Sequence, residues 1–343
     1  MVRFIIRRLL VAIPTLLAIS LVIFLVLDLA PGDPTGNLPL TVPPEVKEAM
    51  REAMGVNEPT WVKYGLWLKQ FFIIEPQYIF EDLSGVEIFD YSDKTNNPPP
   101  IRIVSWQSRG PVFDTILERL PQTLWVLGLS YIFGAMFAIP VGIITAYRQY
   151  SWVDNLGTFF ALIGYSVPTF VLGLLFIIVF SVKLGWFPTF YDPLLEVTDW
   201  ASFIKQIKQI IMPVTVLSFF NAAVISRFMR SSMLDNLNLD YVRTARSKGL
   251  TEWSVVMVHV VRNSLIPVIT LLALQIPGIF GGAIITEQIF KINGIGQLLI
   301  VAIQNSDIPA VQTITFIFAI LIVFFNIVAD VLYGILDPRI RFD

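Results

Sequence analysis

The sequence predicts an all-α integral membrane protein: six transmembrane helices, with a helical and irregular extracytoplasmic insertion between the first two. Three observations carry that expectation. Charged residues make up 15% of the 343 and hydrophobic residues 55%, with a mean hydropathy of +0.70, whereas soluble domains carry about 25% charge. Six uncharged runs come close to or exceed the roughly 20 apolar residues that a bilayer requires. Basic residues concentrate on alternate connecting segments, the asymmetry that orients membrane proteins.

The first run is Leu9 to Leu27. Arg3, Arg7 and Arg8 precede it as in a signal peptide, but the run is of spanning length and no small-x-small cleavage site follows. It reads as an uncleaved first span. The second run lies between Arg119 and Arg148, the third between Asp154 and Lys183, and the fourth, the shortest, between Lys208 and Arg227. The fifth lies between Arg262 and Glu287 and the sixth between Asp307 and Asp330. The N-terminus, the turn at Arg148, the loop from Arg227 to Arg262 and the C-terminus together hold twelve Lys and Arg residues. The two short loops opposite hold Lys183, Lys205, Lys208 and Lys291. Both termini and the Arg227–Arg262 loop are therefore expected in the cytoplasm of a multi-pass cell-membrane protein. The chain divides into a cytoplasmic N-terminus and first span (1–29), an extracytoplasmic region (30–115), and a core of five spans (116–343) with a cytoplasmic loop at 233–262.

In the outer region, PPEVKEAMREAMG reads as a helix with Pro44 near its start and Gly55 just past its end. From Trp61 to Phe72 a second stretch sets Trp61, Tyr64, Trp67, Leu68 and Phe71 on one face, which suits a helix lying in the outer headgroup layer. From Glu75 to Arg109 the chain reads as irregular, acidic and a poor core former, with Asn96-Asn97-Pro98-Pro99-Pro100 at its middle. It fits a lid or docking loop as well as a solvated excursion. Pro140, Gly142, Gly164, Pro168, Pro277, Gly278, Gly281 and Gly282 lie within the spans, where such residues let helices bend or pack closely.

Composition excludes several chemistries. There is no cysteine and one histidine, His259, so disulfides, thiolate catalysis and the usual zinc sites are ruled out. No G-x-x-x-x-G-K-[ST] string occurs, so no P-loop binds ATP. No credible nucleophile–base set supports a membrane enzyme. No basic, aromatic-interleaved groove suits nucleic acid. Among the few polar residues along the spans, those to note are Asn221, Ser226, Gln275, Thr286, Asn326 and Asp330. Of these, Asn221, Gln275, Asn326 and Asp330 are candidates for structural or path-lining roles. Asn326 and Asp330 share a helix face, and Asp330 reads first as a structural ion pair with an arginine, Arg339 and Arg341 being close in sequence. No row of charges lines a span, which weighs against an ion-coupled secondary carrier, the main alternative from another class.

The polar stretch with most organisation is Asp240 to Pro267, DYVRTARSKGLTEWSVVMVHVVRNSLIP. Asn238 or Asp240 suits an N-cap, Gly249 a helix stop and Thr251 a second cap. Tyr241, Thr244, Ala245 and Lys248 then fall on one face. A short capped helix at the end of a membrane bundle suits docking to a soluble partner. A basic loop that only sets orientation explains the same spacing equally well.

Strings along most of the chain resemble one family. RFIIRRLLVAIPTLLAISLVIFLVLDLAPGDP, ERLPQTLWV, IPVGIITAYRQYSWVDN, GYSVPTF, KLGWFP, YVRTARSKGL, HVVRNSLIPVIT, EQIFKINGIGQLL and ADVLYGILDPRIR resemble, in order, the B-type permease subunits of ABC importers for dipeptides, oligopeptides and nickel. YVRTARSKGL stands where that family has its cytoplasmic EAA loop. Against the general E-A-A-x-x-x-G pattern, Ala245 and Gly249 match, and Arg243 and Thr244 follow the peptide branch instead. The resemblance implies a type I importer permease fold and half of a translocation path. It implies a second, C-type permease subunit, two ABC ATPase subunits and an extracytoplasmic substrate-binding protein as partners within the lipid bilayer. ATP and Mg would sit on the ATPase subunits and no cofactor on this chain. Coupling to the ATPases would fall to Tyr241, Arg243, Thr244, Ala245, Lys248, Gly249 and Leu250. Peptides are the commonest cargo of the branch; oligosaccharides and nickel or opine-type compounds are the alternatives.

Overall fold

The computed structural model describes residues 2–30, 43–53, 57–89 and 99–336. Gly55, Asn96, Asn97, Pro98, Arg339 and Arg341 lie outside them, as do the side chains of Pro277, Gly278, Gly281 and Gly282. Helix dominates the described chain: α1 (Val2–Asp28), α2 (Pro44–Ala53), α3 (Thr60–Lys69), α4 (Glu75–Ser84), α5 (Val112–Tyr147), α6 (Trp152–Ser166), α7 (Thr169–Phe176), α8 (Trp200–Leu237), α9 (Asp240–Ser247), α10 (Glu252–Ser254), α11 (Val261–Phe290), α12 (Ile295–Gln304) and α13 (Ile308–Leu336). Three π-helical stretches, Gln70–Ile74, Ile177–Lys183 and Val255–Val260, join α3 to α4, extend α7 and join α10 to α11. Five helices among the described residues are long and apolar enough to cross a membrane, and two bent pairs raise that to at most seven. The six expected spans lie within this range.

Two expected spans differ in shape. The third, between Asp154 and Lys183, is broken by 100° between α6 and the α7 helix. Pro168 is the cause: it removes a backbone donor and holds Val167 in an extended conformation (φ −83°, ψ 122°). The fourth is not the shortest but the longest helix, 38 residues. Its polar ends, with Lys205 and Lys208 at one and Arg227 and Arg230 at the other, continue helically beyond the uncharged run, and an Asp199–Ser202 capping box starts it. A further break of 88° separates Ile284–Phe290 from α12.

The chain forms two compact units. The smaller comprises residues 12–120 and 298–320. Its core is aromatic. Phe316, fully buried, meets Trp67 at 5.2 Å and Phe71 at 4.9 Å between ring centroids, both edge-on, geometries that add to simple area burial. Tyr64 packs edge-on against Phe24 at 5.2 Å, and its hydroxyl lies 2.8 Å from that of Ser20. Asp28 closes the end of α1 onto α3 by accepting from Thr60 (2.9 Å) and Lys63. The α3 face expected in the headgroup layer is therefore mostly turned inward: Trp67 and Phe71 are buried, while Trp61 remains 68% exposed. Helical spacing identified the face, but α1 and α13, not lipid headgroups, cover it.

The stretch expected to be irregular and a poor core former also departs from expectation. It begins as helix α4, and its first residue, Glu75, is fully buried. Arg102 donates to Glu75 Oε2 from Nε and Nη2 at 3.1 and 2.9 Å, and Ile103 N donates to Oε1 at 2.7 Å. The same guanidinium reaches Asp114 at 2.6 and 3.1 Å and lies 4.7 Å over the Tyr78 ring. Burial works against the Arg102 charge, yet hydrogen bonds to Asp114 and Glu75 outweigh it and raise its pKa. A second buried carboxylate, Asp307 just ahead of α13, accepts from Ser105 Oγ and from the backbone N–H of Trp106 at 3.0 Å and Gln107 at 3.3 Å. Residues 102–107 are thus tied down at two points by acids remote in sequence.

The larger unit comprises residues 1–11, 121–297 and 321–343. Its centre is α8, which α5 and α6 approach across glycines. A Cβ on Gly142 would lie 2.6 Å from Met229 Cβ and 2.8 Å from the Ser226 carbonyl oxygen, and one on Gly164 would lie 2.9 Å from Ala223 Cβ. Such contacts let membrane helices gain dispersion energy and hydrogen bonds that lipid does not offer. Ser218 Oγ donates to Ser130 O at 2.9 Å, and Ser232 and Ser264 exchange hydroxyl-to-carbonyl bonds between α8 and α11 at 2.9 and 3.2 Å. Overpacking at Gly142 has no flexible neighbour to displace. Gly142→Leu should lower the thermal midpoint of the detergent-solubilised chain by many degrees, measured by size-exclusion after heating. Gly128→Leu, where a Cβ meets nothing within 4 Å, should leave it unchanged.

Candidate functional site

The candidate site is the polar segment after α8. Helix α9 begins without a side-chain cap: Leu239 occupies the N-cap position, and neither Asn238 nor Asp240 serves there as expected. Asp240 instead places a negative charge in the first turn, favourable to the helix dipole. The helix stops as expected, with Gly249 at φ +77°, a left-handed conformation that costs other residues about 1–2 kcal/mol. Thr251 then caps the next helix, its hydroxyl accepting from Ser254 N at 3.4 Å. Arg246 closes the turn by pairing with Glu252 through two bonds, at 2.7 and 3.1 Å. That hydrogen-bonded partner raises the Arg246 pKa; the pair is nearly half exposed and is worth at most about 1 kcal/mol.

The residues expected to share one face divide into two sets. Ala245 is buried beside Val242 in a cluster with Met229, Met233, Val255, Val256 and Val260. Tyr241 is half-buried and donates from its hydroxyl to Asn236 Oδ1 at 2.9 Å. These residues hold the helix to the unit. Arg243, Thr244, Lys248, Gly249 and Leu250 are exposed, and they form the free surface. Val242 supplied the missed signal: with Ala245 at i+3 it marks the inward stripe.

Sequence reasoning also missed the brace beneath this segment. Asp154, buried at the start of α6, accepts from Arg230 Nε and Nη2, both at 2.8 Å, and from Tyr150 N at 3.0 Å. The partners stand 76 residues apart; in the sequence Asp154 reads only as the polar boundary of a span and Arg230 only as one of the basic residues of the Arg227–Arg262 loop. Glu287 is equally buried. It accepts from Thr123 Oγ1 at 3.0 Å and Gln297 N at 2.9 Å, and side chains at Gly294 or Gly296 would overlap its carboxylate or its surroundings. The acid and the Gly294-Ile295-Gly296 turn thus hold the break before α12.

The remaining candidate polar residues lie apart from α9. Asn221 is half-buried, its Cβ where Gly134 approaches α8. Gln275 is half-buried on α11 and Asn326 exposed on α13. Asp330 is in an ion pair, as expected, but with Arg8 of α1 at 3.0 Å. Among the described residues no group of three or more His, Cys, Asp or Glu is arranged to hold a metal ion.

Broken and unbroken apolar helices around α8, with a short polar helix presented at the end of one span, define an integral membrane permease. The chain belongs to the family of binding-protein-dependent transport system inner membrane components, whose model matches residues 138–342, with the family's N-terminal model matching 1–127. It is 38% identical over 346 residues to the oligopeptide transport system permease protein AppB of Bacillus subtilis, all of both chains being covered. It is 35% identical over 346 residues to the glutathione transport system permease protein GsiC of Escherichia coli, again with full coverage of both. A crystal structure of the inward-facing MetNI methionine ABC transporter aligns with 66% of this chain and 97% of that one, at a TM-score of 0.51 and 15% identity. That likeness speaks to the fold alone, the type I importer permease fold.

Proposed function

We propose that this chain forms half of the translocation path of an ATP-driven importer of di- and oligopeptides. Full-length similarity to oligopeptide and glutathione permeases supports the cargo class. In this reading a second permease completes the path, an extracytoplasmic binding protein delivers the peptide, and two ATPase subunits on the side of α9 supply the energy. The chain itself hydrolyses no ATP. In this reading both termini and α9 face the cytoplasm, an orientation that the distribution of Lys and Arg supports. Six crossings follow if α6 and α7 cross as one broken span and the bent pair of Ile284–Phe290 and α12 re-enters without crossing.

The observation that carries the coupling reading is the division of α9 itself. Val242 and Ala245 bind it rigidly to α8 and the start of α11, while Arg243, Thr244, Lys248 and Leu250 are left uncovered. A force applied to the exposed face is thereby transmitted to packed helices. Co-expression with its ATPases tests this: a cross-linker at Lys248 should capture an ATPase subunit, and capture of none would end the coupling reading.

The alternative carrier class needs a titrating charge in the path. Asp330 is the most suitable acid, but its pairing with Arg8 at a half-exposed site gives it a structural role. Asp330→Asn should cost under about 1 kcal/mol of stability and leave uptake rates within twofold in proteoliposomes. Abolished uptake with an intact fold would favour an ion-coupled carrier.

A further inference from the structure

Helix α3, the π-helical Gln70–Ile74 and α4 run on without a break from Thr60 to Ser84. One face of this long helix packs inward: Trp67, Phe71 and Ile74 are buried. The opposite face is uncovered. Val62, Leu66, Ile73, Pro76, Phe80 and Leu83 are all exposed. With Lys69 they follow one another at alternating steps of four and three residues, a single stripe roughly 30 Å long. The acids of the helix avoid this stripe. Glu75 is turned inward onto Arg102, and Glu81 is buried and accepts from Ile88 N at 3.2 Å. Lys63 is held by Asp28. Asp82, in the last turn, is the one carboxylate of the helix left exposed. A helix that met water on this side would turn its charges outward and its apolar residues in.

The depth of the helix indicates what the stripe meets. α1 and α13 are both long and apolar enough to cross a membrane, and Asp28 and Asp307 mark their ends on this side. The Thr60–Ser84 helix meets them well inside those ends. Tyr64 reaches Ser20 and donates to Leu17 O at 3.4 Å, and the Trp67 ring lies 6.3 Å from that of Phe24. Trp67, Phe71 and Phe72 all pack on Phe316. Ser20 and Phe316 each lie roughly 12–14 Å of helix rise from the nearer aspartate, a depth at which a membrane offers acyl chains rather than bulk water. We propose that the Thr60–Ser84 helix is seated in the bilayer beside α1 and α13, its outward stripe covered by lipid acyl chains. The leaflet is the one at the Asp28 end of α1, the outer leaflet in the orientation above. Lys69 fits this seat because its aliphatic stem lets the ammonium reach the headgroups. In water the stripe would form a contiguous apolar patch of the kind that soluble surfaces avoid.

The sequence has no cysteine, so one introduced cysteine carries one nitroxide label. Leu66→Cys, Ile73→Cys and Phe80→Cys are labelled one at a time in the assembled transporter in nanodiscs, its other subunits made cysteine-free. Each position is exposed, so the label displaces no packing. Power-saturation EPR compares collisions with oxygen, which concentrates in hydrocarbon, and with a water-soluble nickel chelate. At all three positions collisions with oxygen should prevail several-fold. At Glu196→Cys, on the exposed segment before α8, collisions with the chelate should prevail. Preference for the chelate on the stripe would place it in water and overturn the proposal. Suppressed collision with both reagents would overturn it equally, because the occupant would then be protein, the second permease or the binding protein. The measurement reads no transport, so a failure of the peptide-importer reading leaves its outcome unchanged and the two failures are told apart.

Discussion

Gly249→Arg should reduce ATP-driven uptake by at least a hundredfold while leaving the chain folded. The geometry makes this substitution informative. A Cβ at Gly249 meets no atom within 4 Å, so a longer side chain enters open space and disturbs no packing. The cost to the fold is the left-handed backbone, φ +77°, about 1–2 kcal/mol. That is too little to unfold a chain held by the close contacts of α8. The arginine would project from the exposed turn beside Lys248 and Leu250, where the proposed ATPase surface seats. Uptake, transporter-stimulated ATP hydrolysis and thermal stability should be measured together. Lost uptake with an unchanged melting profile is the expected pattern. Ala245→Arg should differ: that position is buried among Val242, Val255 and Met233, so a charge there should weaken both stability and coupling.

The second large effect is expected in the smaller unit. Glu75→Ala should destabilise it by about 3–5 kcal/mol. The carboxylate is wholly buried and accepts two bonds from Arg102 and one from Ile103 N. Removing it leaves a largely buried guanidinium with Asp114 alone and orphans a backbone donor. Asp114→Ala should cost far less, because that carboxylate is 41% exposed and Glu75 remains to satisfy Arg102. Limited proteolysis of the detergent-solubilised chain reads this directly. Cleavage near Arg102 should accelerate strongly in Glu75→Ala and little in Asp114→Ala. Equal rates would mean that the buried carboxylate does not anchor the segment.

What the sequence made legible follows the range over which its signals act. Spans appear as uncharged runs, and the stop at Gly249 and the cap at Thr251 appear because each depends on residues within one turn. Pro168 and Gly164 read as residues that permit bending, and α6 ends between them; the sequence locates the break at Pro168 but not its angle of 100°. The pairs that fix the architecture are long-range. Arg102 with Glu75, Asp307 with Ser105, Asp154 with Arg230 and Arg8 with Asp330 join residues that periodicity cannot relate. Glu75 read as the start of an acidic loop because its partner lies 27 residues downstream. For α9, spacing indicated which residues share a face but not which face packs. That depends on Met229, Met233 and the valines of the next helix, which lie on other elements.

The most direct test of the central claim is uptake of a radiolabelled tripeptide into proteoliposomes that contain the chain, its partner permease and its ATPases, supplied with the binding protein. Uptake should require ATP hydrolysis on the side of α9 and should persist unchanged when ionophores collapse every ion gradient. Uptake that proceeds without ATP and disappears with the gradient would contradict the account.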